Sequence, residues 1–148
     1  MFEKETAIIA RFEMCPECRD ISVLVPVQTV KQMVTPFNAE YESEDFGHYF
    51  CLNEDCHVVY FSNEYQFTTK DVKVSVYQKD QGEDVSVCYC HNLTRRKIHA
   101  MIAADIDPVT HLDELMKGQN CSCVLNNPQG SCCRNNVILY SQSIKGLA

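Results

Sequence analysis

The chain has 148 residues, is 45% hydrophobic and 22% charged, and carries a formal net charge of −7. This length and apolar content fit one ordinary globular domain or two small ones, which excludes a disordered or fibrous protein. The acidic balance argues against a nucleic-acid partner because phosphate binding needs a basic face, while ten cysteines exceed what packing requires and point to metal or redox chemistry.

The N-terminus, MFEKETAIIARFEMC, does not resemble an export signal, since acidic residues precede an apolar patch of only four residues, 7–10. No stretch approaches the roughly 20 apolar residues of a membrane span. We therefore expect a cytoplasmic protein without membrane insertion. In a reducing cytosol, clustered thiols hold metal more often than they form disulfides.

Charge is divided unevenly along the chain. Residues 1–84 carry a net charge of −9 and residues 85–148 a net charge of +2. The change falls in the polar stretch 78–84, whose composition and single glycine are typical of a linker. We therefore predict two domains, residues 1–80 and residues 85–148.

The first half has the pattern of β-strands. Its β-branched and aromatic runs predict strands over 21–27, 49–51, 58–62 and 72–77, the last with clear alternation. The segment 27–34 is ambiguous between helix and strand. The acidic run Glu40, Glu42, Glu44 and Asp45 is interpreted as a solvated loop.

The second half has the pattern of helices. Thr94, at the end of Asn92-Leu93-Thr94, is predicted to cap the first helix, and Thr110 and Asp113 are candidate capping partners in the second. Helices are predicted over 95–105, 108–118 and 135–144. The fold class is therefore α+β, with a small β-rich module followed by a helical one.

Two cysteine pairs in the first half have metal-ligand spacing. A C-x2-C turn directs two sulfurs at one tetrahedral ion, and a second pair on a neighbouring hairpin closes the site. Four thiolates with no open position imply structural zinc, and a sheet this small would gain folding energy from it. His48 and His57 remain alternative ligands. The pairs are Cys15/Cys18 and Cys51/Cys56.

The cysteines of the second half are spaced differently. Cys88-Tyr89-Cys90 precedes a helix, and Cys121-x-Cys123 and Cys132-Cys133 follow about 30 residues later. A C-x-C pair does not easily chelate one zinc ion, because alternating side chains diverge. An anionic four-thiolate iron–sulfur centre is instead stabilised by helix N-termini. This arrangement favours a 2Fe-2S cluster over a second zinc.

The motifs CPEC, HYFCLNEDCHVVYFS, VCYCHNLT and CVLNNPQGSCC, in this order, resemble the N-terminal region of the two-domain CopZ copper-chaperone family. In that family a zinc module precedes a 2Fe-2S domain like that of bacterioferritin-associated ferredoxin. The resemblance spans roughly residues 12–140 and implies zinc at the four cysteines named above. It implies cluster ligation by Cys88, Cys90, Cys123 and Cys133, with Cys132 as the alternate fourth ligand.

The sequence departs from that family at its C-terminus. The methionine-containing C-x2-C loop that carries Cu(I) in a further ferredoxin-like, heavy-metal-associated domain is not present before Ala148. We therefore expect an accessory redox module whose partner is a copper ATPase, a separate copper carrier or a redox protein. Two cysteines stay unassigned, Cys121 and Cys132, and their soft thiolates form a candidate transient Cu+ site.

No hydrolytic or group-transfer constellation is present, so an enzyme of that kind is not expected. The resemblance implies a metallochaperone-like redox protein that reduces Cu(II) to Cu(I) by one-electron transfer from its cluster. The alternative is a ferredoxin-like electron carrier that docks on an oxidoreductase or an iron-storage partner without any copper role. A third hypothesis is a scaffold whose cluster senses iron or oxidant.

Overall fold

The computed structural model of the chain describes residues 10–37, 47–118 and 122–146. The chain divides into two compact units, residues 1–74 and residues 75–148. The predicted order, a β-sheet module followed by helices, is confirmed. The stretch 78–84, interpreted as a linker, lies within the second unit, and the acidic run of 40–45 lies outside the described residues.

The first unit is built on an antiparallel sheet in which sequential strands are neighbours, in the order β1-β2-β3-β4-β5. One short helix, α1 (Val27–Met33), follows the second strand. The strands are β1 (Phe12–Met14), β2 (Ile21–Val25), β3 (His48–Cys51), β4 (Val58–Phe61) and β5 (Gln66–Thr68).

The core of the first unit lies on both faces of the central strands, since every residue of β3 and β4 is buried. Phe50 pairs with Tyr60 on one face, their ring centroids 5.8 Å apart. On the other face Tyr49 stacks on Phe61 at 5.6 Å. Tyr49 and Phe61 share this second face with buried cysteines, so it is the face that carries sulfur.

Strand β1 forms one edge of the sheet and exposes apolar side chains. Phe12 is 57% exposed and Met14 is 60% exposed. Ile21, which pairs with Met14 across the two strands, is 58% exposed. Alternate residues of a strand lie on the same face, so these three side chains form one apolar patch at the edge.

The strand predictions over 21–27, 49–51 and 58–62 are confirmed to within one or two residues. The ambiguous segment after residue 26 is α1. The strand predicted over 72–77 is wrong. Val72 makes one isolated bridge to Val34, and residues 73–77 form no strand. The alternation of apolar and polar residues over 72–77 reflects burial in two different units, because Val72 is buried in the first unit and Val76 in the second.

The second unit is mainly helical. A two-stranded ribbon, β6 (Ser86–Cys88) and β7 (Leu93–Thr94), leads directly into the first of its helices. Its core joins the ribbon to the helices through Val87, Leu93, Ile98, Leu112 and Val137. The helices are α2 (Arg95–Ala103), α3 (Pro108–Gly118), α4 (Cys123–Asn126) and α5 (Arg134–Gly146).

The three helix predictions are confirmed, and the caps explain where two of the helices begin. Thr94 Oγ1 accepts a hydrogen bond from Lys97 N at 3.2 Å, as expected of an N-cap. At α3 the cap is Asp107, whose Oδ2 accepts from Thr110 Oγ1 at 2.8 Å. Asp113, predicted as a capping partner, instead pairs with Arg134 at 2.8 Å.

In the described parts of the chain, no helix combines the length and the apolar character that crossing a membrane requires.

Arg95 anchors the stretch that was interpreted as a linker. Its side chain is buried, and its guanidinium donates to the carbonyl oxygens of Asp80 at 2.6 Å, Gly82 at 3.0 Å and Tyr77 at 2.7 Å. The guanidinium also lies over the Tyr77 ring, 4.4 Å from its centroid. These contacts hold residues 77–82 against the start of α2.

We expect Arg95→Leu to lower the free energy of unfolding of the second unit by about 3 kcal/mol, because three carbonyl groups and an aromatic face lose a cationic donor. Urea unfolding followed by circular dichroism measures this change. Arg96→Leu is the matched control, since Arg96 is exposed and pairs with Asp84 at the surface. An equal loss in both variants would contradict the anchoring role.

Candidate metal centres

Four cysteines of the first unit form a compact group. Their sulfur atoms all lie within 4.8 Å of one another. A tetrahedral zinc site with metal–sulfur bonds of about 2.3 Å has sulfur–sulfur edges of about 3.8 Å. Two of the edges, Cys15–Cys56 at 3.9 Å and Cys18–Cys51 at 3.6 Å, fit that size. The donor set therefore suits one tetrahedral ion.

Two tight turns present these sulfurs. Between β1 and β2 the backbone folds back on itself, with Cys15 N donating to Asp20 O and Arg19 N donating to Cys15 O, both at 2.9 Å. Arg19 closes this knuckle in the left-handed region, at φ 67°. Between β3 and β4, Cys56 N donates to Asn53 O at 3.2 Å. The sheet thus brings a knuckle and a hairpin turn to the same place.

Burial and hydrogen bonding act in opposite directions on these thiols. Burial opposes ionisation of Cys18, but hydrogen bonds from the Asp20 backbone and the Asn53 side chain outweigh it and lower the Cys18 pKa to about 7. Burial raises the pKa of Cys56. A bound cation is what would allow Cys56 to share the site as a thiolate.

The two histidines kept as alternative ligands are not in this group of sulfurs. His48 is buried within β3, and His57 is exposed beside Cys56. The four atoms that lie together are all sulfur. The spacing of the two cysteine pairs was therefore the more informative signal.

The thiols of the second unit form two pairs. Cys90 and Cys123 have sulfurs 3.6 Å apart, and the Cys88 and Cys133 thiols share a hydrogen bond. Within the described ranges, these four sulfurs do not form a group in which all lie within 4.8 Å. The two cysteines of the C-x-C motif belong to different pairs, in keeping with the divergence of alternating side chains.

Three thiols of the second unit have shifted pKa values: that of Cys88 is lowered, and those of Cys123 and Cys133 are raised. The hydrogen bond with Cys133, together with the backbone N–H groups of His91 and Cys90, lowers the pKa of Cys88 to about 7 against the effect of burial. The same hydrogen bond and burial raise the pKa of Cys133. Burial and the Cys90 thiol raise the pKa of Cys123 to about 12.

Adjacent cysteines before α5 have different environments. Cys133 is 2% exposed and lies with Cys88, whereas Cys132 is exposed and accepts a hydrogen bond from Arg134 N at 3.5 Å. Cys132 and Cys123 both line an open cavity of about 390 Å³. Cys121, the other unassigned thiol, lies outside the described residues.

Two contacts around these thiols were not predicted. Asn126 Nδ2 donates to Cys90 Sγ at 3.9 Å, and α4 places Asn126 one turn after Cys123. Tyr89, the central residue of the C-x-C motif, donates to Ser75 O at 2.5 Å and accepts from Tyr77 N at 2.9 Å. Burial raises the Tyr89 pKa to about 12. The contact of Asn126 could have been anticipated from the sequence, because Asn126 lies three residues after Cys123, about one helical turn.

Comparisons with known proteins agree with this geometry. Residues 13–73 match the zf_CopZ family, described as a zinc binding domain. The copper chaperone CopZ of Archaeoglobus fulgidus is 32% identical over 119 residues, covering 80% of this chain and 57% of that protein. The X-ray structure of the N-terminal domain of the same protein matches with a TM-score of 0.66 and 29% identity, covering 90% of this chain and 98% of that domain.

The chain thus spans 57% of the length of the curated relative that it matches. The match to the zinc-binding family includes all four cysteines of the compact group. The cysteines of the second unit lie beyond the range of that family match.

We expect Cys51→Ser to lose one zinc ion per chain and to unfold the first unit, because an ion that closes two turns contributes folding free energy. Metal analysis and urea unfolding of the purified protein measure both effects. Cys132→Ser, which changes an exposed cysteine of the second unit, is the control and should keep its zinc. Full zinc content in Cys51→Ser would show that this group is not the zinc site.

Proposed function

We propose that this chain, which resembles the N-terminal region of the copper chaperone CopZ, is a zinc- and iron–sulfur-binding redox protein that reduces Cu(II) to Cu(I). The premise is that residues 13–73 match the zinc-binding domain of the CopZ family. The two units then have separate tasks. The first is held together by zinc, and the second handles electrons and copper.

Zinc binding is assigned to the compact sulfur group, Cys15, Cys18, Cys51 and Cys56. Four thiolates occupy every position of a tetrahedral ion and leave none open for water or substrate. Such a closed site has no catalytic position. Its role in this proposal is to fix the knuckle and the hairpin turn to the sheet.

The observation that supports the cluster most directly is the arrangement of second-unit thiols as two pairs. One mononuclear ion needs four ligands converging on one point, whereas a 2Fe-2S cluster has two irons and takes four cysteine thiolates in all. The 3.6 Å separation of Cys90 and Cys123 suits two thiolates on one tetrahedral iron. Cys88 and Cys133 would hold the second iron.

Cys133 is the better candidate than Cys132 for the fourth cluster ligand. It is buried and hydrogen-bonded to Cys88, while Cys132 is exposed. Backbone N–H groups of Cys90 and His91 donate to the Cys88 sulfur. These donors would stabilise the negative charge of thiolates bound to iron.

When bound, such a cluster would supply one electron at a time. One electron converts Cu(II) to Cu(I), so the reduction of each copper ion would leave the cluster oxidised by one electron. A redox partner protein must then return that electron. Thiolates are soft ligands that select Cu(I). In this proposal the Cu(I) is received by Cys132, which is exposed in the cavity that Cys123 also lines, and Cys121 supplies a second thiolate. A copper ATPase or a separate copper carrier would take the ion onward.

The alternative function is electron transfer to a protein partner without copper. The cavity beside Cys123 has an apolar rim, formed by Val124 at 40% exposure and Leu125 at 47% exposure. Apolar surface beside a redox centre suits a docking oxidoreductase or iron-storage protein. The copper and carrier functions differ in whether the protein itself retains Cu(I).

We expect Cys133→Ser to abolish the iron and the visible absorption of the anaerobically purified protein, because a serine oxygen replaces a soft, buried thiolate ligand poorly. Cys132→Ser, the neighbouring substitution, should keep both. Iron analysis and the visible spectrum measure the outcome. The opposite result would assign the fourth ligand to Cys132, and a colourless wild-type protein containing two zinc ions would refute the cluster.

The copper function predicts that dithionite-reduced protein is reoxidised by about one equivalent of Cu(II) in a one-electron reaction. The Cu(I) formed should stay with the protein until a strong Cu(I) chelator removes it. Visible absorption follows the cluster, and the chelator reports Cu(I).

Retention separates this function from nonspecific oxidation of a reduced cluster. The double variant Cys121→Ser/Cys132→Ser should bind Cu(I) more weakly than the wild-type protein while keeping its iron and zinc. Equal Cu(I) affinity in the double variant, or release of iron as copper binds, would favour the electron-carrier function.

A further inference from the structure

Ser22 has a buried hydroxyl group that lacks a hydrogen-bond partner in the structure. The residue is 0% exposed, and its Oγ is one of two buried, unpartnered side-chain atoms among the described residues. The other is Ser141 Oγ on α5. A buried hydroxyl without a partner destabilises the fold, because it has given up its hydrogen bonds to water. A hydroxyl kept in that position therefore calls for an explanation.

The position of Ser22 in the sheet supplies one. Ser22 on β2 is directly paired with Cys51 on β3. Directly opposed residues of antiparallel strands project their side chains on the same face, with Cβ atoms about 4.5–5.5 Å apart. The Ser22 side chain is therefore a cross-strand neighbour of the Cys51 side chain.

The other cross-strand neighbour of Ser22 is a weaker candidate partner. Glu13 on β1 is paired with Ser22 on the opposite side. Glu13 is exposed, so water can satisfy its carboxylate. Cys51 is 0% exposed and has no such access to solvent. A hydrogen-bond donor therefore stabilises the Cys51 sulfur more than it stabilises the Glu13 carboxylate.

The charge of a loaded site makes the Cys51 sulfur a strong acceptor for the hydroxyl. A neutral thiol is a weak acceptor, whereas a thiolate is charged and accepts strongly. Four thiolates around one Zn²⁺ carry a net charge of −2, which neighbouring donors stabilise. Cys18 already receives hydrogen bonds from the Asp20 backbone and the Asn53 side chain, and Cys56 receives one from the Val58 backbone.

We propose that Ser22 is a positioning residue of the metal centre, whose hydroxyl donates to the Cys51 thiolate when the ion is bound. This inference rests on the proposed zinc site. The donated hydrogen bond orients the Cys51 sulfur and lowers the charge density on it. A thiolate accepts a hydrogen bond more strongly than a neutral thiol does, so this donation makes Ser22 favour the loaded state over the empty one.

Zinc competition with a chromogenic chelator tests the proposal on the full chain. Ser22→Ala removes only the hydroxyl and is expected to raise the zinc dissociation constant about 10- to 100-fold, the usual effect of deleting a hydrogen bond to a metal ligand. Ser141→Ala is the matched control, because it removes the other buried, unpartnered hydroxyl from a helix of the second unit. Its zinc affinity should equal that of the wild-type protein.

Two further measurements separate donation from packing. Ser22→Thr keeps the hydroxyl and should restore most of the affinity that Ser22→Ala loses. With Co²⁺ in place of zinc, the thiolate-to-metal charge-transfer band of Ser22→Ala should move to lower energy, because an undonated thiolate is a better electron donor. A packing defect would change affinity without moving that band.

The outcomes distinguish this inference from the zinc site itself. Wild-type zinc affinity and an unmoved Co²⁺ band in Ser22→Ala would overturn the role of Ser22 and leave the four-cysteine site in place. An equal loss of affinity in Ser141→Ala would also overturn it. A wild-type protein that binds no zinc would refute the site on which the inference depends.

Discussion

Clustered thiols in an apolar setting are the constraint on which both halves of this chain depend. Cys15, Cys51 and Cys88 are 0% exposed, and sulfurs within each cluster come as close as 3.6 Å. Several thiolates cannot share such a space without a cation, and neutral thiols contribute little cohesion. Each unit has 74 residues, a size at which the hydrophobic core is small. A metal ion bound by the four sulfurs of the first unit would therefore add folding free energy that so small a core lacks.

The same residue type produces two different geometries because the backbone presents it differently. In the first unit, a knuckle and a hairpin turn meet at one point, and their four sulfurs converge. In the second unit, Cys88 ends a strand and Cys90 lies on the turn that follows, so the two side chains diverge and join different partners. Convergence closes a site around one ion, while two separate pairs suit a binuclear centre.

Local sequence patterns predicted the parts of the structure that local interactions determine. The 3.6-residue periodicity and Thr94 gave the helices of the second unit, and cysteine spacing gave the compact sulfur group. The strand over 72–77 failed because alternation measures burial, and burial there comes from two different units. The contacts of Arg95 joined residues 13 to 18 positions apart and had no sequence signature.

The pairing within the second unit was likewise beyond a reading of the sequence. Spacing pointed to six cysteines in three pairs, and the family resemblance implied Cys88, Cys90 and Cys123 with either Cys133 or Cys132. Burial is what separates Cys133 from Cys132. The Asn126 contact with Cys90 depends on how α4 packs, over a separation of 36 residues. Such choices are made by tertiary packing and are visible only in three dimensions.

The exposed edge of the first-unit sheet affects the solubility of the protein. Phe12, Met14 and Ile21 form an apolar patch at the β1 edge of the sheet that the described residues form, and such an edge is a template for strand-to-strand association between copies. The net charge of −9 on residues 1–84 opposes that approach by mutual repulsion. Salt shortens the range of this repulsion, to about 3 Å at 1 M ionic strength. Solubility of the protein is therefore tied to ionic strength through the exposed edge of the strand that leads into the cysteine knuckle.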